Sequence, residues 1–267
     1  MKIRVLGSGT LFPDPTRGCA AHWLEGKGYR VLLDCGPGAV RTMARLGLAW
    51  HSLSHVVITH FHTDHVGDLA YLFFVLKHGQ PERRTEGLRL FGPRGLRDHL
   101  EALARAHGAH IQDPGFPVTV HELSPGEGWK SPDGSLRLLS RGTPHTEHSL
   151  AVRVETPEAR MGYTGDTGPH PDLAAFFRGC ELLIAECSHP DGMEMSTHLT
   201  PGELASLARE AKPGVLVPVH CYPTLDPGSL PDQLKAAGFV GRILTGWDGL
   251  GLDLTGGTVT VSGTETE

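Results

Sequence analysis

The chain has 267 residues, 39% apolar and 20% charged, with a formal net charge of −6. That is too apolar for a disordered chain and long enough to bury a substantial core. No apolar run approaches the roughly 18–20 residues of a membrane span, the N-terminal MKIRVLGSGT has no apolar signal core with a cleavage site,, and the acidic balance argues against a protein that grips long nucleic acid.

Residues 2–6 alternate and run into Gly7-Ser8-Gly9-Thr10, which reads as a strand and a tight turn,. The GxG there lacks the rest of a dinucleotide fingerprint. Residues 22–24 and 29–33 read as a hairpin around Gly26-Lys27-Gly28,. Asp34-Cys35-Gly36-Pro37-Gly38 ends it, and residues 39–46 look helical. Residues 56–59, Val-Val-Ile-Thr, form a short apolar run typical of a buried strand,. A buried helix over 67–76 and an amphipathic one over 95–107 follow. Arg83, Arg84, Arg89, Arg94 and Arg97 are diluted by Glu82, Glu86 and Asp98, and read as a solvated face.

From 118 to 154 short strands return, separated by Gly and Pro turns, and residues 161–164 form another. A helix over 173–177 and a strand over 182–185 come next. The helix over 201–211 has Thr200 as N-cap and Pro201 at its first position,. A strand over 215–219, a helix over 230–237 and strands over 242–245 and 251–261 complete the chain. Two sheets, each covered by helices, and a single domain over 1–267 are the expected organisation. Five cysteines, 19, 35, 180, 187 and 221, are odd in number and include no CxxC pair, so a disulfide framework is not expected,. Cys19, Cys35 and Cys180 read as small buried thiols; Cys187 and Cys221 stand beside candidate site residues and are the cysteines expected to line a pocket.

The sharpest feature is Thr59-His60-Phe61-His62-Thr63-Asp64-His65. Four potential ligands fall just past a buried strand, and three imidazoles with a carboxylate suit a borderline cation such as zinc. Alternation puts His60 and His62 on one side of an extended segment. Asp64 and His65 can both face inward only if a tight loop opens a helix there. One metal needs about four ligands, so further donors are expected at other strand ends. His145 (or its neighbour His148), Asp166 after Gly165, and His220 after residues 215–219 are the candidates.

This ordered set, with Gly7-Ser8-Gly9-Thr10 and Leu33-Asp34-Cys35-Gly36, resembles the metallo-β-lactamase superfamily in its phosphodiesterase branch. The resemblance spans nearly the whole chain. It implies an α/β (α+β) fold, a four-layer αββα sandwich with the site at the edge of two facing sheets. It implies that His60, His62 and His145 hold one metal, that Asp64, His65 and His220 hold a second, and that Asp166 bridges them. His145 is preferred to His148 because His145 and Arg153 match the family spacing H-x-x-x-x-x-x-x-R.

Two divalent ions, zinc first and manganese or iron as alternatives, then imply hydrolysis through a bridging hydroxide, with Asp64 orienting it. Ser196-Thr197-His198-Leu199-Thr200 is similar to the HST segment of the ribonuclease Z group, which makes His198 the expected general acid or transition-state stabiliser. Two features depart from that group. His145 and Asp166 stand only 21 positions apart, leaving no room for a long tRNA-gripping arm. Glu186-Cys187-Ser188-His189-Pro190 and Gly246-Trp247-Asp248-Gly249-Leu250 look instead like cyclic phosphodiesterases of phosphonate degradation, without their cysteine-rich extra metal site near Cys19. His189 is a further candidate for touching substrate. The expectation is a cytoplasmic phosphodiesterase for a small or accessible substrate, such as a nucleic-acid end. It has no membrane partner, the arguments run against tRNA, and homo-oligomerisation is left open. The alternatives are a thioester or lactone hydrolase of the same fold, or an iron-dependent oxidoreductase relative.

Overall fold

A computed structural model describes residues 1–263. Among them, eight strands form one sheet: β1 (Lys2–Gly7), β2 (Ala21–Gly26), β3 (Tyr29–Leu33), β4 (His55–Val57), β5 (Leu88–Pro93), β6 (Val118–Leu123), β14 (Gly251–Thr255) and β15 (Thr258–Gly263), in the order β15-β14-β1-β2-β3-β4-β5-β6. Seven form the other: β7 (Gly128–Lys130), β8 (Arg137–Gly142), β9 (Leu150–Glu155), β10 (Arg160–Tyr163), β11 (Leu182–Glu186), β12 (Val215–Val219) and β13 (Arg242–Ile243), in the order β13-β12-β11-β10-β9-β8-β7.

Central strands such as β11 and β12 are apolar on both faces because both faces are covered,. In β3, Val31 and Leu33 enter the core between the sheets, while Leu32 points to the opposite side. In β11, Leu182 and Ile184 enter that same core, and Leu183 and Ala185 the layer beyond. The outer layer on the first sheet comes from α1 (Ala39–Arg45), α3 (Leu69–His78) and α4 (Leu96–His107); that on the second from α5 (Pro171–Phe177), α6 (Pro201–Ala211) and α7 (Leu230–Ala236). The four layers follow the order αββα expected from the sequence. No helix of the described residues is long and apolar enough to cross a membrane.

Chain direction places the site. β3, β4 and β5 run parallel, as do β10, β11, β12 and β13. Their carboxyl ends gather at one edge of the sandwich, where open α/β sheets collect ligands.

Several details differ from the sequence reading. β5 was not anticipated. The helix expected over 67–76 is α3, and it is not buried all round: Tyr71 is 54% and Phe74 50% exposed. Arg84 does not belong to a solvated face. It is buried, its guanidinium donates to the carbonyls of His51, Leu53, Glu86 and Gly87, and it stacks on Phe116. A guanidinium carries five donors and no acceptor, so a ring of backbone carbonyls can satisfy it without a carboxylate.

Candidate metal centre

The HxHxDH segment leaves β4 in extended form through His62 (φ −63°, ψ 147°) and then enters the one-turn helix α2 (Thr63–Val66). That change of direction lets neighbouring Asp64 and His65 both turn inward. Two other site residues hold strained backbones. Asp34 and His220 both sit in the left-handed region, at φ 54° and 60°, a conformation that persists only where the surroundings enforce it. Gly165 also has φ 55°, and a Cβ there would stand 2.9 Å from Thr59 Cβ. Only glycine lets the β10 loop pass close enough to deliver Asp166.

The structure brings the seven residues together. The donor atoms of His60, His62, His145 and Asp166 lie within 4.8 Å of one another, as do those of Asp64, His65 and His220. His60 Nε2 is 3.1 Å and His145 Nε2 2.9 Å from His62 Nδ1. Asp166 stands between the groups. Its Oδ1 is 3.2 Å from His65 Nε2; its Oδ2 is 3.5 Å from His220, 3.6 Å from His145 and 3.8 Å from His60. Asp64 Oδ2 is 3.4 Å from His220 Nε2 and 3.9 Å from His65 Nε2.

The outer nitrogens define which way each imidazole faces. Thr59 Oγ1 donates to Asp34 Oδ2 (2.8 Å) and so accepts from His60 Nδ1–H (3.1 Å). His65 Nδ1–H donates to Asp34 Oδ2 (2.7 Å) and His145 Nδ1–H to the Thr197 carbonyl (3.0 Å). Ser188 Oγ donates to Glu186 Oε2 (2.6 Å) and so accepts from His220 Nδ1–H (3.1 Å). Four imidazoles thus carry their proton outward and aim an Nε2 lone pair at one centre, the arrangement that orients histidine ligands. The buried His65 Nε2 has no hydrogen-bond partner. Converging lone pairs of this kind repel one another unless a cation stands among them, so the residues fit a pair of divalent ions.

The local electrostatics follow. Burial, with the neighbouring imidazoles, holds His60 well below its ordinary range. Burial would likewise depress His65, but the Asp166 and Asp34 carboxylates outweigh it and raise that imidazole, so a cation must displace a proton from Nε2 to use that lone pair,. Burial would raise Asp166, but His220, His65 and His60 hold its carboxyl well below the usual range.

His198 stands apart from the seven. Its Nδ1–H donates to Glu186 Oε1 (2.9 Å), and Glu186 is fixed by the Thr167 and Leu199 amides and the Ser188 hydroxyl. Burial works against the imidazolium, yet the Glu186 hydrogen bond and charge leave His198 raised. A cavity of about 390 Å³ opens over the centre, lined by Leu11, Cys19, Pro37, Tyr222, His198 and ligand candidates. His189 packs its ring against Tyr222 at 4.6 Å, on the rim. His148 lies elsewhere, half-exposed beside Glu147. Arg153 is away from the centre, donating to the Phe176 carbonyl and paired with Glu155.

Cys35 and Cys180 are buried as expected, but the other three cysteines exchange places. Cys19 lines the cavity, and burial pushes its thiol up to about 11. Cys187 and Cys221 are buried among α6-side residues. Sequence reasoning also passed over Asp34, Thr59, Tyr163, Glu186 and Ser188. Of these, Asp34 stands in the Leu33-Asp34-Cys35-Gly36 motif, Thr59 opens the histidine cluster, and Glu186 and Ser188 stand in the segment upstream of His198, but the sequence reading assigns none of them a role.

Tyr163 offers a test of this outer ring. Its hydroxyl donates to Asp34 Oδ2 (2.9 Å), and the fully buried His22 packs edge-on against it at 4.7 Å. Tyr163→Phe removes one donor from the carboxylate that orients His65. Metal retention is expected to weaken by about tenfold, measured by competition with a chromogenic chelator. Unchanged retention would mean that Thr59 and His65 hold Asp34 without help.

Known proteins resemble this chain in sequence and in fold. A family model described as a beta-lactamase superfamily domain matches residues 29–221. Ribonuclease Z of Mycobacterium sp. (strain KMS) is 28% identical over 251 residues, covering 87% of this chain and 88% of that protein. The metallo-beta-lactamase fold protein YhfI from Bacillus subtilis superposes with a TM-score of 0.79 at 21% identity, covering 94% of this chain and 98% of that one. The short form of human tRNase Z superposes with a TM-score of 0.78 at 22% identity, covering 95% and 99%. The two superpositions carry the fold.

Proposed function

This chain belongs to the beta-lactamase superfamily, in the branch that includes ribonuclease Z, and on that premise we propose that it is a metal-dependent phosphodiesterase acting on a small molecule or an accessible nucleic-acid end. The observation that carries the reading is the hydrogen bond that His198, whose imidazole lines a histidine-rich cavity, donates to buried Glu186.

His60, His62 and His145 would hold one divalent cation and Asp64, His65 and His220 a second, with Asp166 shared; the predominance of imidazole favours zinc, with manganese or iron as alternatives. When bound, such a pair supplies Lewis-acid charge to phosphoryl oxygens and lowers the pKa of a water to about 7. The remaining work belongs to side chains. Asp64 lines the cavity and can accept a hydrogen bond from the attacking water, fixing its direction,. His198 keeps Nδ1–H on Glu186, which supports the imidazolium and leaves Nε2–H to protonate the departing oxygen,. Leu11, Pro37 and Tyr222 give the cavity apolar walls for the organic part of the ester,.

The short interval between His145 and Asp166 is occupied by β9 and β10, two ordinary core strands. A projecting RNA-gripping arm has no place there, and tRNA is therefore not the favoured substrate. The five cysteines are free thiols, which suits a reducing compartment such as the cytoplasm,.

Parallel assays of the zinc- or manganese-loaded protein test the reading. Bis(p-nitrophenyl) phosphate is expected to be turned over and a panel of thioesters and lactones left intact. The opposite pattern would transfer the same fold and site to carbonyl hydrolysis and overturn the proposal.

A further inference from the structure

A second cavity, of about 580 Å³, adjoins the first. Cys19 and Pro37 line the first, and their chain neighbours Gly18 and Gly38 line the second, so the two lie on either side of the same turns. The first cavity has no lysine or arginine in its wall; the second has Arg17, Arg41 and Arg45, beside the indole of Trp247. In a chain of net charge −6 this is a local excess of cations.

The two carboxylates in that wall, Asp14 and Asp248, offset part of this charge and leave three guanidiniums against two carboxylates. Asp14 Oδ1 accepts from Thr16 N (2.7 Å), Thr16 Oγ1 (2.8 Å) and Arg17 N (3.0 Å). Asp248 accepts from Ser8 N and Ser8 Oγ (both 2.8 Å) and from Gly18 N (2.6 Å). Each is occupied in shaping its own loop. Among the described residues, the arginines that form ion pairs are Arg30, Arg105, Arg137, Arg141 and Arg153, none of them in this cavity. Arg17 Nη2 donates to the Gly246 carbonyl (2.9 Å), and its guanidinium also lies beside the Cys221 thiol, which leaves Arg41 and Arg45, among the described residues, as the free cations of the wall. Arg41 and Arg45 are one turn apart on α1, both exposed, and so share a helix face,. Guanidinium forks match phosphate oxygens in shape and charge, and an indole offers a face on which a base can stack.

We propose that this groove binds a further phosphate of the same substrate, with Trp247 as the platform for the base attached to it. The inference rests on the phosphodiesterase reading of the first cavity. It narrows the substrate class from any accessible diester to a nucleotide or short single-stranded oligonucleotide carrying at least one phosphate beyond the scissile one. The cavity over the metal centre takes the reacting linkage, and the arginine groove sets the register by holding the next.

The test uses metal-loaded protein and p-nitrophenyl esters of thymidine 5′-phosphate. One ester is unextended, one carries a 3′-phosphate, and others carry one or two further 3′-linked nucleotides. At least one extension is expected to raise kcat/KM by about tenfold or more, and the gain should shrink with added salt. In the Arg41→Glu, Arg45→Glu double variant the ratio of extended to unextended kcat/KM should collapse toward unity. Arg41→Gln with Arg45→Gln repeats the test should charge reversal unsettle α1. Equal kcat/KM for all esters, or a gain that survives both double variants, overturns the inference and leaves the phosphodiesterase reading standing. Stimulation of the unextended ester by inorganic phosphate, lost in the variants, would assign the groove to a separate anion and overturn it as well. Failure to cleave any of these esters, in protein that turns over bis(p-nitrophenyl) phosphate, overturns the inference alone; failure on that diester as well removes the phosphodiesterase reading with it.

Discussion

Replacing His198 with alanine lowers phosphodiester turnover by about 10²–10⁴-fold while leaving the bound metal in place. The imidazole lines the cavity, and its Nδ1 is committed to Glu186 Oε1 at 2.9 Å. That leaves one nitrogen for chemistry. The donor atoms of His198, Asp166 and His220 also lie within 4.8 Å of one another, so the competing role is that of a ligand. Metal analysis separates the two: a variant that loses both metal and turnover refutes the general-acid assignment. Glu186→Gln supplies a second readout. Glu186 raises the His198 imidazole, so its neutral replacement lowers the pKa at which that group gives up its proton. The alkaline limb of the rate profile should therefore move to lower pH. A purely structural role for Glu186 would lower the plateau without moving the limb.

The second large effect is expected at Asp166. Asn in its place keeps the shape of the side chain and removes the charge that His60, His65, His145 and His220 all approach within 3.2–3.8 Å. Both halves of the centre share this group, so Asp166→Asn is expected to reduce metal content and to lower kcat/KM by about 10³-fold or more, near 4 kcal/mol of transition-state stabilisation. Thermal unfolding gives an independent check. A ligand that binds only the folded state raises its stability, so a chelator should depress the Tm of the parent protein and leave the variant almost unmoved. A variant with full metal content and a chelator-sensitive Tm would show that Asp166 is not shared between the two groups.

How much of this was legible in the chain depends on how far apart the cooperating residues stand. His60, His62, Asp64 and His65 declare themselves because four donors crowd one segment. His145, Asp166 and His220 are single polar residues after strands, and only a family pattern joins them to that cluster. The carboxylates and hydroxyls that aim the imidazoles are harder still. Asp34 is separated from His65 by 31 positions and from Tyr163 by 129, and nothing local marks it as their partner. Adjacency in sequence also misled. Cys221 follows His220, but the left-handed backbone at His220 sends the two side chains to different compartments. Cys19, far from every ligand in sequence, reaches the cavity because its loop folds over Asp64 and Pro37. The apolar run over 69–76 gives α3 no polar stripe from which its solvent face could be read. Arg84 shows the converse, a charged residue whose burial depends on carbonyls that only the folded loop supplies.

The donors come from both layers of the sandwich: His60, His62, Asp64 and His65 follow β4 of one sheet, and His145, Asp166 and His220 follow β8, β10 and β12 of the other. Ions gripped there would act as a clasp across the seam. A conservative change in the seam, such as Val152→Ala or Ile184→Val, that lets one layer slide by a few tenths of an ångström would then register first as leakage of metal. The loss should come well before any cooperative unfolding, which makes cation affinity a strain gauge for the alignment of the two sheets.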